Sequence, residues 1–325
     1  MMRIIIILTA LLQLQLLIGQ DLTIATFNCE FLNKRKVHIK YGLPYNIKYA
    51  KGAEKKLWSD DNYRLTKFNE STNSVADQIK IINADIIGLT EVGNDTEINA
   101  LVRALHDKGL TYRYYKVCKS KDTQTGQHVA FLSKYDLKDI VTSFPNRGLY
   151  FIESDDDEVG GTGISKGMKV TVNVKGIDFH LFLFHFKSER GGEDSDQQRL
   201  MQAEIARRLT IPYIQKGDNV VLMGDFNSEK RHQVLKTIRG FNDINEELIQ
   251  SGDMEYFEDY DTRWTYNYKG QMEQIDHILL SLGIKELCKA NNEKKKQWGI
   301  KTKIIETKND QVSDHNALVV ELNFR

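Results

Sequence analysis

Four apolar stretches of this sequence run out at residues able to do chemistry. Asn28 closes "LTIATFN", Glu91 falls near the end of "DIIGLTEV", His185 lies in "DFHLFLFHF", and Asp225 with Asn227 ends "NVVLMGDFN". Two further stretches open on such residues: Asp276 precedes "HILLS", and Asp314 with His315 precedes "NALVVEL". A single Asp or Asn at such a boundary is ordinarily a turn former or a helix cap. A whole set of carboxylates, amides and imidazoles at the boundaries asks for another explanation. Carboxylate and amide oxygens are hard donors that suit Mg²⁺, which takes one or two carboxylates, several waters and substrate phosphate oxygens. Zinc would call for more imidazole and thiolate, and no HExxH spacing occurs. The set therefore suits hydrolysis of a phosphate ester, in which a cation polarises the phosphoryl oxygen, a carboxylate orients water and imidazolium donors neutralise charge. Lys187, Ser188 and Arg190, just beyond His185, are the expected substrate-binding residues.

These residues need elements that bring them together. Residues 22–28, 85–92, 128–133, 168–174, 178–186, 219–227, 275–281 and 316–324 read as strands, and most lack clean alternation, which implies burial on both faces. Helical spacing joins Val75, Ile79 and Ile82, then Ile98, Leu101, Val102 and Leu105 between Asn94 and Gly109, then Leu200, Ala203 and Leu209 within 194–209. "VKGID" at 174–178 reads as a tight hairpin, so part of the sheet is antiparallel. In such a sheet the ends of some strands and the starts of others share one edge, which gathers the polar residues on one rim.

In this order, "TFNCEFL", "IIGLTEV", "LFHFKSERGG", "LMGDFN", "QIDHILLS" and "SDHNALVVEL" resemble the endonuclease/exonuclease/phosphatase superfamily of DNase I-like metal-dependent phosphoesterases, over residues 22–324. The resemblance implies an α/β fold, a four-layer sandwich of two packed mixed β-sheets flanked by helices. It also implies Mg²⁺, with Mn²⁺ or Ca²⁺ as substitutes, held by Glu91 with Asn28 and Asp314. Asp225 is then the group that orients or deprotonates the water, Asn227 a phosphate-contacting amide, His185 the first phosphate-binding histidine, and Asp276 the carboxylate that orients His315, the second. The sequence departs from the pattern where a carboxylate should pair with His185: only Gln127 and His128 of "TGQHVAFLS" are found there. His277 should point away from Asp276 by strand alternation, outside the catalytic set.

The 325-residue chain, 41% hydrophobic and 28% charged, has the composition of a globular protein. Its 45 basic and 45 acidic residues balance, which removes any global argument for a polyanionic or membrane partner. Arg3 followed by "IIIILTALLQLQLLIG" has the layout of a signal peptide over residues 1–19, so a secreted or periplasmic protein with one domain over 20–325 is expected. Three cysteines leave one thiol over, and Cys29 and Cys118 read as buried thiols. The acidic run at 153–158 reads as a solvated loop, with a Ca²⁺ site as the alternative.

Residues 34–56 interleave Lys34, Arg35, Lys36, Lys40, Lys48, Lys51, Lys55 and Lys56 with Tyr41, Tyr45 and Tyr49, either as an arm that grips nucleic acid or as a loop packed on the body. The expected activity is that of an exported phosphodiesterase acting on DNA or RNA, without stable membrane association. A sphingomyelinase-like or phosphoinositide-directed lipid phosphoesterase is the same-fold alternative, in which "RWTYNYKG" at 263–270 would touch a membrane. A catalytically silent binding module is the alternative of another class.

Overall fold

The structure is a computed structural model that describes residues 20–120, 125–152, 158–240, 249–250, 264–288, 299–309 and 311–324. The expected signal peptide at 1–19 and residues 153–157 of the acidic run lie outside the described residues. Two mixed sheets carry the architecture. The first has strand order β15-β16-β1-β2-β4-β3, with β1 at Gln20–Leu32, β2 at Ile86–Val92, β3 at Tyr114–Cys118, β4 at His128–Ser133, β15 at Ile300–Ile305 and β16 at Ala317–Phe324. The second has order β11-β14-β10-β9-β8-β5, with β5 at Lys138–Val141, β8 at Gly167–Val174, β9 at Ile177–His185, β10 at Asn219–Asp225, β11 at Ile249–Gln250 and β14 at Asp276–Leu280. Two ribbons stand apart, β6 at Arg147–Phe151 with β7 at Val159–Gly163, and β12 at Tyr266–Tyr268 with β13 at Gln271–Glu273.

The sheets pack face to face. Ile24, Ile86 and Phe131 from the first meet Val170, Leu181, Val221 and Met223 from the second. Alternate residues of the same strands serve the outer faces. Phe27, Ile87 and Leu89 are covered by Val75 and Ile79 of helix α2 (Asp61–Ile82) and by Ile98 and Leu101 of α3 (Asp95–Asp107), α1 being the short Ala53–Trp58. Phe182, Phe184, Val220 and Leu222 are covered by Ala203 and Ala206 of α4 (Glu193–Ile214) and by Val234, Leu235 and Ile238 of α5 (Gln233–Arg239). That is a helix–sheet–sheet–helix sandwich. Each fully buried Leu, Ile or Phe contributes about 1.5–3 kcal/mol, so the strands are held by both of their faces.

Local chemistry sets the ends of these elements. Asn94 and Glu97 form a reciprocal capping box at the start of α3, and Gly109 follows its end with φ 80°. The hairpin between β8 and β9 turns on Lys175 and Gly176, both at positive φ, with Val174 paired to Ile177. Strand direction then places the chemistry. Parallel β1 and β2 end at one rim where β16, antiparallel to β1, begins. Parallel β9 and β10 end at that rim too, where antiparallel β14 begins, so that Asp225 is register partner of both His185 and Asp276.

Candidate active site

Near this rim the backbone leaves regular strand geometry. A register shift in β1 between Asn28 and Leu32 puts Glu30 and Phe31 at φ 40° and 48°, while Glu91 sits at φ 58° and Asn227 at φ 48°. Such conformations cost about 1 kcal/mol or more each and persist where surrounding contacts fix them. Here those contacts are visible: the Phe31 N–H donates to Glu91 Oε2 (3.1 Å), the Glu30 N–H to Asn28 Oδ1 (2.8 Å), and the Asn227 N–H to Asp225 Oδ1 (2.9 Å). Gly224 is required by the close approach of β9, because a Cβ there would lie 1.9 Å from the carbonyl oxygen of Phe184.

The predicted residues converge. His185 Nε2 lies 3.8 Å from both Glu91 Oε1 and Asp225 Oδ2, and Asn28 Nδ2 donates to Asp225 Oδ2 at 2.9 Å. His315 Nδ1 is 2.7 Å from Asp276 Oδ2, and its Nε2 faces Asp314 Oδ1 at 3.8 Å. Ligand atoms of Glu91, His185 and Asp225 lie within 4.8 Å of one another, and so do those of Asp225, Asp276 and His315, which makes Asp225 common to both clusters. Asn227 points its amide at the carbonyl oxygen of Phe186 (3.2 Å), just beyond His185.

Burial and like charge govern the protonation of these groups. Burial, followed by the charge of Asp276, pushes the Asp225 carboxyl up to about 7, and burial with Lys166 in opposition raises that of Glu91. Burial alone would lower His315, but the charge and hydrogen bond of Asp276, with Asp314 and Asp225, hold its imidazole well above the ordinary value. These are carboxylates crowded into a largely buried site, where a divalent cation would relieve their repulsion. Asp314 Oδ1 is buried with no hydrogen-bond partner among the described residues. The donor set therefore fits a hard cation.

Where sequence patterns place a carboxylate beside His185, Gln127 Oε1 instead accepts from Lys166 Nζ at 2.7 Å, bringing a cation near Glu91. His277 stacks on Phe226 (5.8 Å, 11°) with Nε2 2.9 Å from the Ser228 carbonyl, on the helix-covered side of its sheet. Of the three substrate-binding candidates, Ser188 caps a short 3₁₀ turn through its hydroxyl, Lys187 is exposed, and Arg190, also exposed, faces Tyr266 electrostatically. Tyr266 in turn packs on the His315 ring with centroids 4.8 Å apart.

Two site residues had no sequence signal. Glu30 Oε2 accepts the Asp314 N–H (3.2 Å), and burial with the charge of Asp314 pushes its carboxyl up to about 8. Lys40 is buried behind it, donating to the Val312 carbonyl (2.7 Å) and Ser71 Oγ (3.2 Å), and faces Glu30 and Asp314 electrostatically. Glu30 could have been found from β1 strand alternation only if the shift after Asn28 had been foreseen.

The sequence profile of the Endonuclease/Exonuclease/phosphatase family matches residues 25–315. The chain belongs to this family. Endonuclease/exonuclease/phosphatase proteins are phosphoric ester hydrolases, and the fold agrees with solved members of that structural class. Truncated TDP2 from Caenorhabditis elegans is similar over 95% of this chain and 99% of its own, with a TM-score of 0.57 at 15% identity. An endonuclease/exonuclease/phosphatase family protein from Bacteroides thetaiotaomicron is similar over 94% and 99%, with a TM-score of 0.52 at 16% identity. A variant of beta toxin from Staphylococcus aureus with bound magnesium ions is similar over 93% and 99%, with a TM-score of 0.53 at 16% identity. No curated protein sequence matches the chain.

Proposed function

We propose that this protein is an exported, Mg²⁺-dependent phosphodiesterase that hydrolyses nucleic acid. The observation that carries the chemistry is Asp225, which joins Glu91 and His185 on one side to Asp276 and His315 on the other. Glu91, with Asn28 and Asp314, is assigned to hold the cation, and Glu30 supports Asp314 through its backbone N–H. The cation, when bound, supplies Lewis acidity toward the phosphoryl oxygen, and magnesium in the beta toxin neighbour supports its identity.

The protein's own groups do the rest. Asp225, raised toward neutrality and fixed by Asn28, orients a water and takes its proton at a carboxylate oxygen. His185 and Asn227 bind the phosphate from the β9–β10 side. His315, kept protonated and aimed by Asp276, neutralises charge on the leaving side.

Hydrolysis of bis(p-nitrophenyl) phosphate by the mature protein, with and without Mg²⁺, tests the reaction class, and plasmid DNA, RNA and sphingomyelin vesicles test the substrate. Turnover undiminished in EDTA would overturn the metal assignment. At the β12–β13 ribbon, which the lipid alternative would use, Tyr266 packs on His315 and Tyr268 stacks on Tyr266 at 9°, while Tyr268 and Met272 stay exposed, so the sphingomyelin vesicles are the arm that tests it. No described helix is long and apolar enough to cross a membrane. Residues 1–19 are assigned to direct export.

A further inference from the structure

The segment between β1 and α2 divides into two parts with different jobs. Lys36 and Lys40 are buried in the body, Lys36 donating to the Tyr45 carbonyl at 2.9 Å with its ammonium 4.1 Å from the Tyr45 ring, and Lys40 bonded as described above. Those two lysines cannot grip a substrate. Lys34 and Arg35, by contrast, are exposed, and they share a cleft of about 600 Å³ with Trp58, Asp61, Arg64 and Leu65.

The cleft is built to hold its shape. The Lys34 N–H donates to Glu97 Oε1, the side chain that also completes the α3 capping box. Trp58 Nε1–H donates to the Pro44 carbonyl at 3.0 Å, and the buried His38 ring meets the indole edge to face at 5.1 Å. Arg64 donates to the Trp58 carbonyl and pairs with Asp61. Arg64 is paired with Asp61, Lys34 and Arg35 line the same cleft, and the Lys36 ammonium lies 5.5 Å from the indole centroid, so a fixed indole stands among basic side chains.

The cleft also lies close to the catalytic rim along the chain. Phe31 touches Glu91 through its N–H, and Lys34 is three residues further on. Three residues reach at most about 11 Å, so the Lys34 backbone lies within about three nucleotide steps of Phe31 at about 3.4 Å per stacked step. Cations pairing with phosphates beside an aromatic ring that stacks a base are the two ingredients of single-strand recognition. Duplex bases already stack on each other and offer the ring nothing.

We propose that the cleft lined by Lys34, Arg35, Arg64 and Trp58 is a substrate subsite that holds an unpaired nucleotide two to three positions from the scissile phosphate, with its phosphate on Lys34 and Arg35 and its base on Trp58. This selects single strands and frayed or overhanging ends over blunt duplex. The inference rests on the nucleic-acid reading of the active site above.

The test compares wild type, a Lys34→Ser/Arg35→Ser double variant and Trp58→Leu on a labelled single-stranded oligonucleotide, the same sequence as blunt duplex, and bis(p-nitrophenyl) phosphate. The double variant should lose at least tenfold in kcat/KM on the single strand, flatten the log–log salt dependence by about 1.4 and leave the small diester unchanged. Trp58→Leu should lose roughly five- to a hundredfold on the single strand and little on duplex. Single-strand cleavage unchanged in the double variant, whose two side chains are exposed, overturns the subsite while leaving the nuclease reading standing. Equal losses on all three substrates assign the cleft to the fold and overturn it as well. A wild type that turns over the small diester or sphingomyelin vesicles but no nucleic acid overturns the nuclease reading, and the subsite with it.

Discussion

Asn28 Nδ2 and Asp225 Oδ2 meet at 2.9 Å, and this bond joins the two sheets at the point where the carboxylates gather. Replacing Asn28 by Ala leaves a buried carboxylate oxygen without its donor. The expected cost is about 1–3 kcal/mol in urea unfolding, with at least a tenfold loss of kcat on bis(p-nitrophenyl) phosphate. A variant that keeps both stability and turnover would show that Asp225 is oriented by something else.

Glu91 occupies a left-handed backbone position and receives the Phe31 N–H. Glu91→Gln keeps the shape and the hydrogen-bond acceptor but removes the charge. Its unfolding midpoint should stay near wild type while the Mg²⁺ concentration for half-maximal activity rises and maximal turnover falls steeply. Unaltered Mg²⁺ dependence would remove Glu91 from the ligand set.

His315 is held above its ordinary pKa by Asp276, so its charged form persists to higher pH. Activity that needs the imidazolium is retained below that pKa and lost as pH rises through it. Asp276→Asn should therefore move the alkaline limb of the pH–kcat profile to lower pH, and His315→Ala should lower kcat by roughly a hundredfold or more. An alkaline limb that stays in place in Asp276→Asn would contradict the pairing.

His277 supplies a stability prediction independent of catalysis. Its ring is fully buried, and burial pushes its pKa down to about 4 from an ordinary 6.5. The unfolded chain takes up this proton first, so stability present above pH 6.5 is lost as pH falls toward 4, by up to about 3 kcal/mol. Urea unfolding at pH 7.5 and pH 4.5 should show the loss, and His277→Gln should show less of it. Identical acid sensitivity in the two proteins would trace the effect to other groups.

Much of this architecture could be read from the residues. The strands that carry the site are apolar on both faces, so their sequences are unambiguous, and the capping residues of α3 mark its start by their own chemistry. The strands that the sequence did not delimit, β3, β5, β6, β7, β11, β12, β13 and β15, lie at sheet edges or in two-stranded ribbons, where exposed and polar residues intrude. Helix α4 runs five residues past the expected Leu209, through Pro212. The burial of Lys40 was invisible because it depends on Ser71 and Val312, far away in sequence. The strand-end positions of Asn28, Glu91, His185 and Asp225 were legible, whereas the contact of Glu30 with the Asp314 backbone depended on an irregularity that no periodicity announces.

The pairing of β1 with β16 gives this fold an order of events. Ser313 reaches back to the Asn28 carbonyl across 285 positions, and Ala25 and Thr26 pair with Val319 and Leu318. Asn28 and Glu91 leave the ribosome long before Asp314 and His315, and β1 has no neighbour on its β16 side until residues up to Phe324 are free. The hydrolytic centre therefore comes into being only as the sandwich closes. Closure over so long a loop is slow, which ties assembly of the site to completion of the whole sandwich rather than to either of its sheets alone.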